Sequence, residues 1–493
     1  MHDLAIREAI LYDGSGAPPV LADVALEGER IAAVRAAAAG APLSARRTVD
    51  GRGLALAPGF IDVHTHDDFA ALVHPDMAFK LAGGVTTCVV GNCGFGAAPH
   101  AAAAAMAKTL FPKIVLPEWD GYAGYMRRLE VQPPGVNIGV LVGHGTARLA
   151  AMRNEARAPS AAEMQAMKAT VAEGLEAGAL GLSSGLVYDP GRFAATEELV
   201  ELCALMRGTG ALYATHMRDE STGLLDSVRE AIDIGRRAGV PVQISHHKAS
   251  GRSAWGSVRE SLRLIEAAQA GGLSVHADQY PYTAGSTILS AVYREGRLRG
   301  AIGDMTGADV VIAATESHPQ WEGRSLEQLG AEMGCSAEQA AERVLAADRG
   351  VTAILHAMNE DDVRAVMRHP STMIGSDGIP TLEGKPHPRL YGTFARVLGR
   401  YAREQGLFPM QEAVYRMTGF AAAKFGLRDR GLVRAGAFAD LVLFDAAKII
   451  DAGTFEDPKR PPEGIRMVFV NGSPAYDAGK VTGLRTGRVL RRA

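Results

Sequence analysis

Gly59-Phe60-Ile61-Asp62-Val63-His64-Thr65-His66 is the stretch on which the reading of this chain turns. Residues 60–63 form a short apolar run, as in a buried strand, and they deliver two histidines separated by one residue. Strand side chains alternate with period two, so His64 and His66 face the same way and both imidazoles can reach one cation. An isolated His-x-His reads equally well as two surface histidines in a loop. Here Asp67-Asp68 follows directly and further histidines close later apolar runs, which favours a metal site at a strand end.

Seven further runs have the same form. Residues 86–90 lead into Gly91-Asn92-Cys93-Gly94, 137–142 into Gly143-His144-Gly145-Thr146, 180–182 into Ser183-Ser184-Gly185, and 211–215 into His216. Residues 242–245 lead into His246-His247-Lys248, 274–277 into Asp278-Gln279-Tyr280, and 373–375 into Ser376-Asp377-Gly378. Stretches with apolar spacing near about 3.6, such as 161–177, 196–207, 223–238 and 257–270, lie between several of them. Strands alternating with helices predict an α/β fold, a (β/α)8 barrel of the TIM type. In such a barrel the chemistry comes from the C-terminal strand ends, so His64, His66, Cys93, His216, His246 and Asp377 should share one mouth.

Residues 4–11, 20–26 and 30–34 are strand-like, as are 439–445 and 465–470 near the other end. The two β-rich ends predict a small β-sandwich built from residues 1–55 and 431–493, flanking a barrel domain over 56–430. Residues of about 285–350 have weak periodicity and two helical patches. They are expected as an insertion after the seventh strand, with 351–355 as its return. The chain has 493 residues, 47% hydrophobic and 22% charged, which suits one large globular unit and a smaller one. A net charge of −3 with no Lys/Arg-rich run argues against nucleic-acid or acidic-membrane partners. Neither a secretory leader nor an apolar run of roughly 20 residues is visible. Four cysteines do not make a disulfide framework in a chain this long, and a cytoplasmic location is expected.

Cys93 sits among Gly91, Gly94 and Gly96, which let the backbone turn tightly around its sulfur. Cys88 falls inside a strand and Cys203 inside a helix, as core residues do, and Cys335 belongs to the insertion. Only one of the adjacent His246 and His247 should face a metal, and His246 is preferred. Zinc accepts thiolate, imidazole and carboxylate ligands. Cys93, His216 and His246 would make a softer tetrahedral site with one vacancy. His64, His66 and Asp377 would make a harder neighbour, with the Cys93 sulfur able to bridge. One Zn2+ is expected tightly bound and a second more weakly.

Eight segments follow one another in a recognisable order. They are residues 59–66; Gly84-Val85-Thr86-Thr87 with Gly91-Asn92-Cys93-Gly94-Phe95; Gly143-His144-Gly145-Thr146-Ala147-Arg148; and Gly181-Leu182-Ser183-Ser184-Gly185-Leu186. Then come Ala214-Thr215-His216-Met217-Arg218; Ile244-Ser245-His246-His247-Lys248; Tyr280-Pro281-Tyr282 with Ala284-Gly285-Ser286-Thr287; and Ser376-Asp377-Gly378 with His387-Pro388-Arg389. With these the chain resembles the D-aminoacylase (N-acyl-D-amino-acid deacylase) branch of the amidohydrolase superfamily. The resemblance implies the same two ligand sets, with Cys93 in the bridging place that a carboxylated lysine takes in many relatives. It implies that Lys248, Tyr280 or Tyr282, and Arg389 receive a substrate carboxylate, and it adds Ser286 to the substrate-binding set. Preference for the D-enantiomer of a small N-acyl amino acid rests on the resemblance alone.

On this reading zinc makes water acidic toward pH 7, and Asp377 takes the water proton and later delivers it to the leaving amine. Tyr188 is the candidate donor to the developing oxyanion. Each has a plainer counterpart: Asp377 in Ser-Asp-Gly as a turn residue, Tyr188 as packing before Asp189-Pro190-Gly191, Lys248 and Arg389 as solvated charges, and His144 as a pocket-shaping residue. The alternative function keeps fold and metal but changes the substrate to a cyclic amide, as in hydantoinase-like or dihydroorotase-like relatives.

Overall fold

The structure, a computed structural model, describes residues 1–37, 43–110, 115–298 and 304–492. Eight parallel strands form its centre: β1 (Phe60–Asp62), β2 (Val85–Val90), β3 (Asn137–Gly143), β4 (Gly181–Gly185), β5 (Leu212–His216), β6 (Val242–Ile244), β7 (Val275–Gln279) and β8 (Thr372–Ile374). Each pairs in parallel with the next in chain order. The ring closes beyond the last strand residues, through a parallel bridge between Thr65 and Gly378. His66 N–H donates to Gly378 O at 3.0 Å and Asp377 N–H to His64 O at 2.7 Å. The segments expected to carry metal ligands therefore also close the barrel. All eight strands lie where the apolar runs placed them.

Ile61, Val63, Val89, Leu141, Leu180, Leu212, Ala214 and Met373 form one buried cluster inside the barrel, as successive inward positions of neighbouring strands must. Phe425, Leu427 and Leu490 join it and close the end away from the histidines. Outside, the helices obey their apolar stripe. In the helix Leu224–Ala238 the buried Leu224, Val228, Ala231, Ile232, Gly235 and Ala238 fall on one face, and Gly239 ends it in the left-handed conformation (φ 73°). The helix Ala161–Glu176 starts from a capping box between Ser160 and Glu163.

The strands of both chain ends join one nine-stranded sheet. Leu4, Ile6, Val24, Leu26, Leu443 and Phe469 share a single buried cluster, so strands from the two termini enclose one core. Two boundaries differ from the expected ones. Strand Ala55–Pro58 is still part of this sheet, pairing with Leu441–Phe444, so the crossing into the barrel falls at Gly59. At the other end Val489–Leu490 leaves the small domain and pairs with β3 at Ile138 and Gly139. Leu490 is apolar, and the barrel floor offers it more burial than a sheet edge.

The insertion builds a three-stranded antiparallel sheet from Gly285–Ile288, Val310–Ala314 and Thr352–Leu355, with helices Leu326–Met333 and Ala337–Ala347. It has its own core of Leu289, Val292, Ile312, Leu326, Leu329 and Val344. The run 351–355 is its return strand, as expected, so the insertion reaches past residue 350. Among the described residues no helix is long and apolar enough to cross a membrane.

Candidate metal centre and active site

The mouth of the barrel gathers all six expected ligands. Cys93 Sγ lies 3.3 Å from His64 Nε2, 3.5 Å from His246 Nε2 and 3.7 Å from His216 Nδ1. Asp377 Oδ1 lies 3.2 Å from His66 Nε2 and 3.5 Å from His64 Nε2. A tetrahedral zinc with bonds of ~2.3 Å to sulfur and ~2.05 Å to nitrogen sets sulfur–nitrogen edges of about 3.6 Å. The observed separations are those edges, so the donor set fits the metal. Cys93 touches ligands of both sets, as a bridging donor must. Cys93, His246 and Asp377 also hold left-handed backbone, with φ of 54°, 36° and 49°. Non-glycine residues adopt this region at a cost of roughly 1–2 kcal/mol each, and such strain concentrates at functional sites.

The charges are arranged to keep these donors ionised. Burial pushes the Cys93 thiol up, but His64 and His246, with a hydrogen bond from His216, draw it well below the usual thiol range. Burial opposes a charge on His66, and Asp377 and Cys93 outweigh it, raising the imidazole to about 9. Asp377 is held well below the carboxylate range against its burial, by Arg389, then His246 and His66. Burial lowers His216, so the positive charge beside Cys93 and Asp377 rests with His64, His66 and His246, whose protons metal binding would release.

Behind the ligands stands a second layer. Asp278 accepts the His246 backbone N–H at 2.8 Å, receives Gln243 Nε2 at 2.7 Å, and lies 3.2 Å from His64 Nδ1. Lys80, buried in the helix Ala78–Leu81, donates to Asp62 at 2.7 Å, Thr65 Oγ1 at 2.9 Å and Ser376 Oγ at 3.1 Å. Its ammonium also lies 3.1 Å from Asp67. Lys80 therefore pins the His64-Thr65-His66 segment to the residue before Asp377. Lys80→Met would leave two buried carboxylates uncompensated, and a loss of about 3–5 kcal/mol in chemical denaturation is expected.

The substrate-facing residues sort less simply. A narrow cavity beside the ligands is lined by Tyr188, Lys248, Tyr280, Ser286, Leu355 and Met358, among others. Tyr188 donates to or accepts from Thr287 Oγ1 at 3.0 Å and stacks edge-on against His216, so it faces the centre rather than only the turn. Tyr282 does not line the cavity. A tight turn, with Tyr282 N–H bonded to Tyr280 O at 3.0 Å, sends the two rings different ways, and the Tyr282 hydroxyl donates to Asp451 at 3.3 Å. Arg389 is fully buried behind Asp377, with Nη1 at 2.9 Å from Asp377 Oδ2, Nη2 donating to Ser286 O at 3.1 Å, and the guanidinium over Tyr280. The guanidinium expected to receive a substrate carboxylate is thus engaged inside the protein. His247 turns away to Ser261, and His144 pairs with Glu198 rather than the cavity. Cys88 and Cys203 are core residues.

Sequence reasoning passed over Glu220, Asp278 as a partner of His64, and Lys80. Asp278 was readable as the polar end of a strand. A lone lysine between Phe79 and Leu81 was a weak signal. Nothing distinguishes Glu220 from Asp219 beside it.

The sequence profile described as "Amidohydrolase family" matches residues 47–476. The chain belongs to the amidohydrolase family. It is 43% identical to a D-aminoacylase of Alcaligenes xylosoxydans xylosoxydans over 99% of this chain and 98% of that one. A crystal structure of D-aminoacylase superposes with a TM-score of 0.89 at 41% identity, covering 100% of both chains. The N-acyl-D-glutamate deacylase of Bordetella bronchiseptica, solved with zinc and a phosphonate that mimics the tetrahedral intermediate, gives 0.89 at 39% identity over 99% of each chain. A D-hydantoinase shares the fold, with a TM-score of 0.58 at 14% identity. The chain is a metal-dependent hydrolase of this family, with a barrel and a small domain from its termini.

Proposed function

We propose that this enzyme hydrolyses the amide of N-acyl-D-amino acids, releasing a carboxylic acid and a free D-amino acid, with zinc held by Cys93, His216 and His246. The carrying observation is the Cys93 sulfur at 3.3, 3.5 and 3.7 Å from three imidazole nitrogens, beside the Asp377 carboxylate. A second, weaker metal would be held by His64, His66 and Asp377. Bound zinc supplies Lewis acidity, polarising an amide carbonyl and making water acidic near neutrality.

The protein's own groups do the rest. Asp377, ionised and facing the mouth, takes a proton from water and returns it to the leaving nitrogen. Tyr188 is held neutral, first by burial and then by the Cys93 charge, so its hydroxyl keeps a proton to donate to an oxyanion. Lys248, Tyr280 and Ser286 on the cavity wall meet the substrate carboxylate, with the Arg389 charge behind them. One part of the wall, Leu355, Ala357 and Met358, is apolar and favours an uncharged substrate side chain. Four cysteines without a disulfide, three of them buried, support a reducing compartment such as the cytoplasm.

Paired N-acetyl-D- and N-acetyl-L-amino acids on zinc-loaded protein test this reading by release of free amine. Turnover confined to the D series, greater for leucine or methionine than for aspartate, is expected. Equal turnover of both series removes the stereochemical claim. No turnover of either, with zinc bound, transfers the assignment to a cyclic amide.

A further inference from the structure

Glu220 sits four residues beyond His216, 1% exposed, in the loop that follows β5. Its Oε1 lies 2.9 Å from His246 Nδ1 and 2.8 Å from Lys248 Nζ, and its Oε2 lies 3.6 Å from His216 Nε2. Lys248 Nζ donates to Glu220 Oε1 and also lies 2.8 Å from His246 Nδ1, while the two histidine contacts of Glu220 are close charge contacts. In each histidine the nitrogen turned toward Glu220 is the one turned away from Cys93, since Cys93 meets His246 at Nε2 and His216 at Nδ1. His216 Nε2 is buried with no hydrogen-bond partner, and Glu220 Oε2 lies 3.6 Å from it. The loop itself is clamped, because Ser250 N–H donates to Glu220 O at 2.8 Å and so joins the segments after β5 and β6.

A metal-ligating imidazole must present a lone pair, and the hydrogen bond made by its other nitrogen decides which nitrogen that is. We propose that Glu220 is the positioning residue of the tight metal site. It draws His216 Nε2 and His246 Nδ1 toward itself, the latter shared with Lys248 Nζ, and so leaves His216 Nδ1 and His246 Nε2 facing Cys93. The inference rests on the zinc-hydrolase reading above. Glu220 is not an inner ligand, because Lys248 already occupies its Oε1 and a cation placed there would meet that ammonium. The same carboxylate thereby links two metal ligands to the lysine of the substrate cavity, so the metal set and the carboxylate-binding lysine move as one unit.

The test is zinc affinity, measured by chelator competition on the full chain, for wild type, Glu220→Gln, Lys248→Met and the double variant. Glu220→Gln should weaken zinc by about 10–100-fold, the range that orienting carboxylates command. Part of that loss could come from leaving Lys248 without its counter-ion. The double variant should therefore remain weaker than Lys248→Met alone by a similar factor, which isolates the effect on the histidines. Cobalt-loaded Glu220→Gln should keep the thiolate charge-transfer band and tetrahedral visible spectrum of the wild type. An unchanged zinc affinity in the double variant relative to Lys248→Met overturns the proposal, as does a cobalt spectrum showing a lost ligand. Wild-type protein that binds no zinc would instead sink the hydrolase reading itself.

Discussion

Cys93→Ala should strip the tightly held zinc and lower kcat/KM by on the order of a thousand-fold or more, equivalent to about 4 kcal/mol of lost transition-state stabilisation. The reason lies in the geometry of one atom. Cys93 Sγ is the shared vertex of three imidazoles at 3.3, 3.5 and 3.7 Å, and it is the soft anionic donor among them. Removing it leaves His216 and His246 as a two-ligand set, which falls short of the three protein ligands a catalytic zinc uses. The alanine also frees Cys93's left-handed backbone of no strain, because its φ of 54° is set by the surrounding turn. Metal analysis after dialysis, with turnover of an N-acetyl-D-amino acid on the same sample, reads both effects together. Retained zinc with retained activity would show that the catalytic metal lies on the His64, His66 and Asp377 side.

Asp377→Asn should lower kcat by about 10²–10⁴-fold while KM changes little, and zinc in the Cys93, His216 and His246 set should stay bound. Asparagine keeps the shape but cannot take a proton from water. Arg389 would keep Ser286 O and the face of Tyr280, so the variant is expected to fold. Steady-state kinetics with zinc content on the same preparation gives the answer. A loss that falls on KM, or zinc that leaves with the carboxylate, would make Asp377 a ligand or a substrate contact before it is a base.

Much of this arrangement is legible along the chain, and particular residues show why. The eight strands were readable because each is a short buried apolar run, and burial on both faces of a parallel sheet leaves that mark. The proposed ligands were readable because each lies one to three residues past the end of such a run. Tyr280 and Tyr282 could not be told apart, since the turn between them is set by contacts with Asp451 and Arg396 far along the chain. Arg389 was named from the segment that carries it, but its pairing with Asp377 depends on how the segment after β8 packs under the mouth. The boundaries at Pro58 and Leu490 were misplaced for a similar reason. A strand's membership is decided by its partner, here Leu441–Phe444 and β3, and not by its own residues.

Local chemistry by itself pointed to the barrel and to the six strand-end residues proposed as ligands, with their proposed division into a soft and a hard set. Apolar periodicity and the identity of a strand-end residue are properties of a few neighbouring positions. The tertiary structure alone decided the second layer, namely Glu220 behind His216 and His246, Asp278 behind His64, and Lys80 beneath both loops that close the ring. Those residues act across strands that are distant in sequence. A buried charge is placed by the partner that neutralises it, and that partner exists only once the chain has folded.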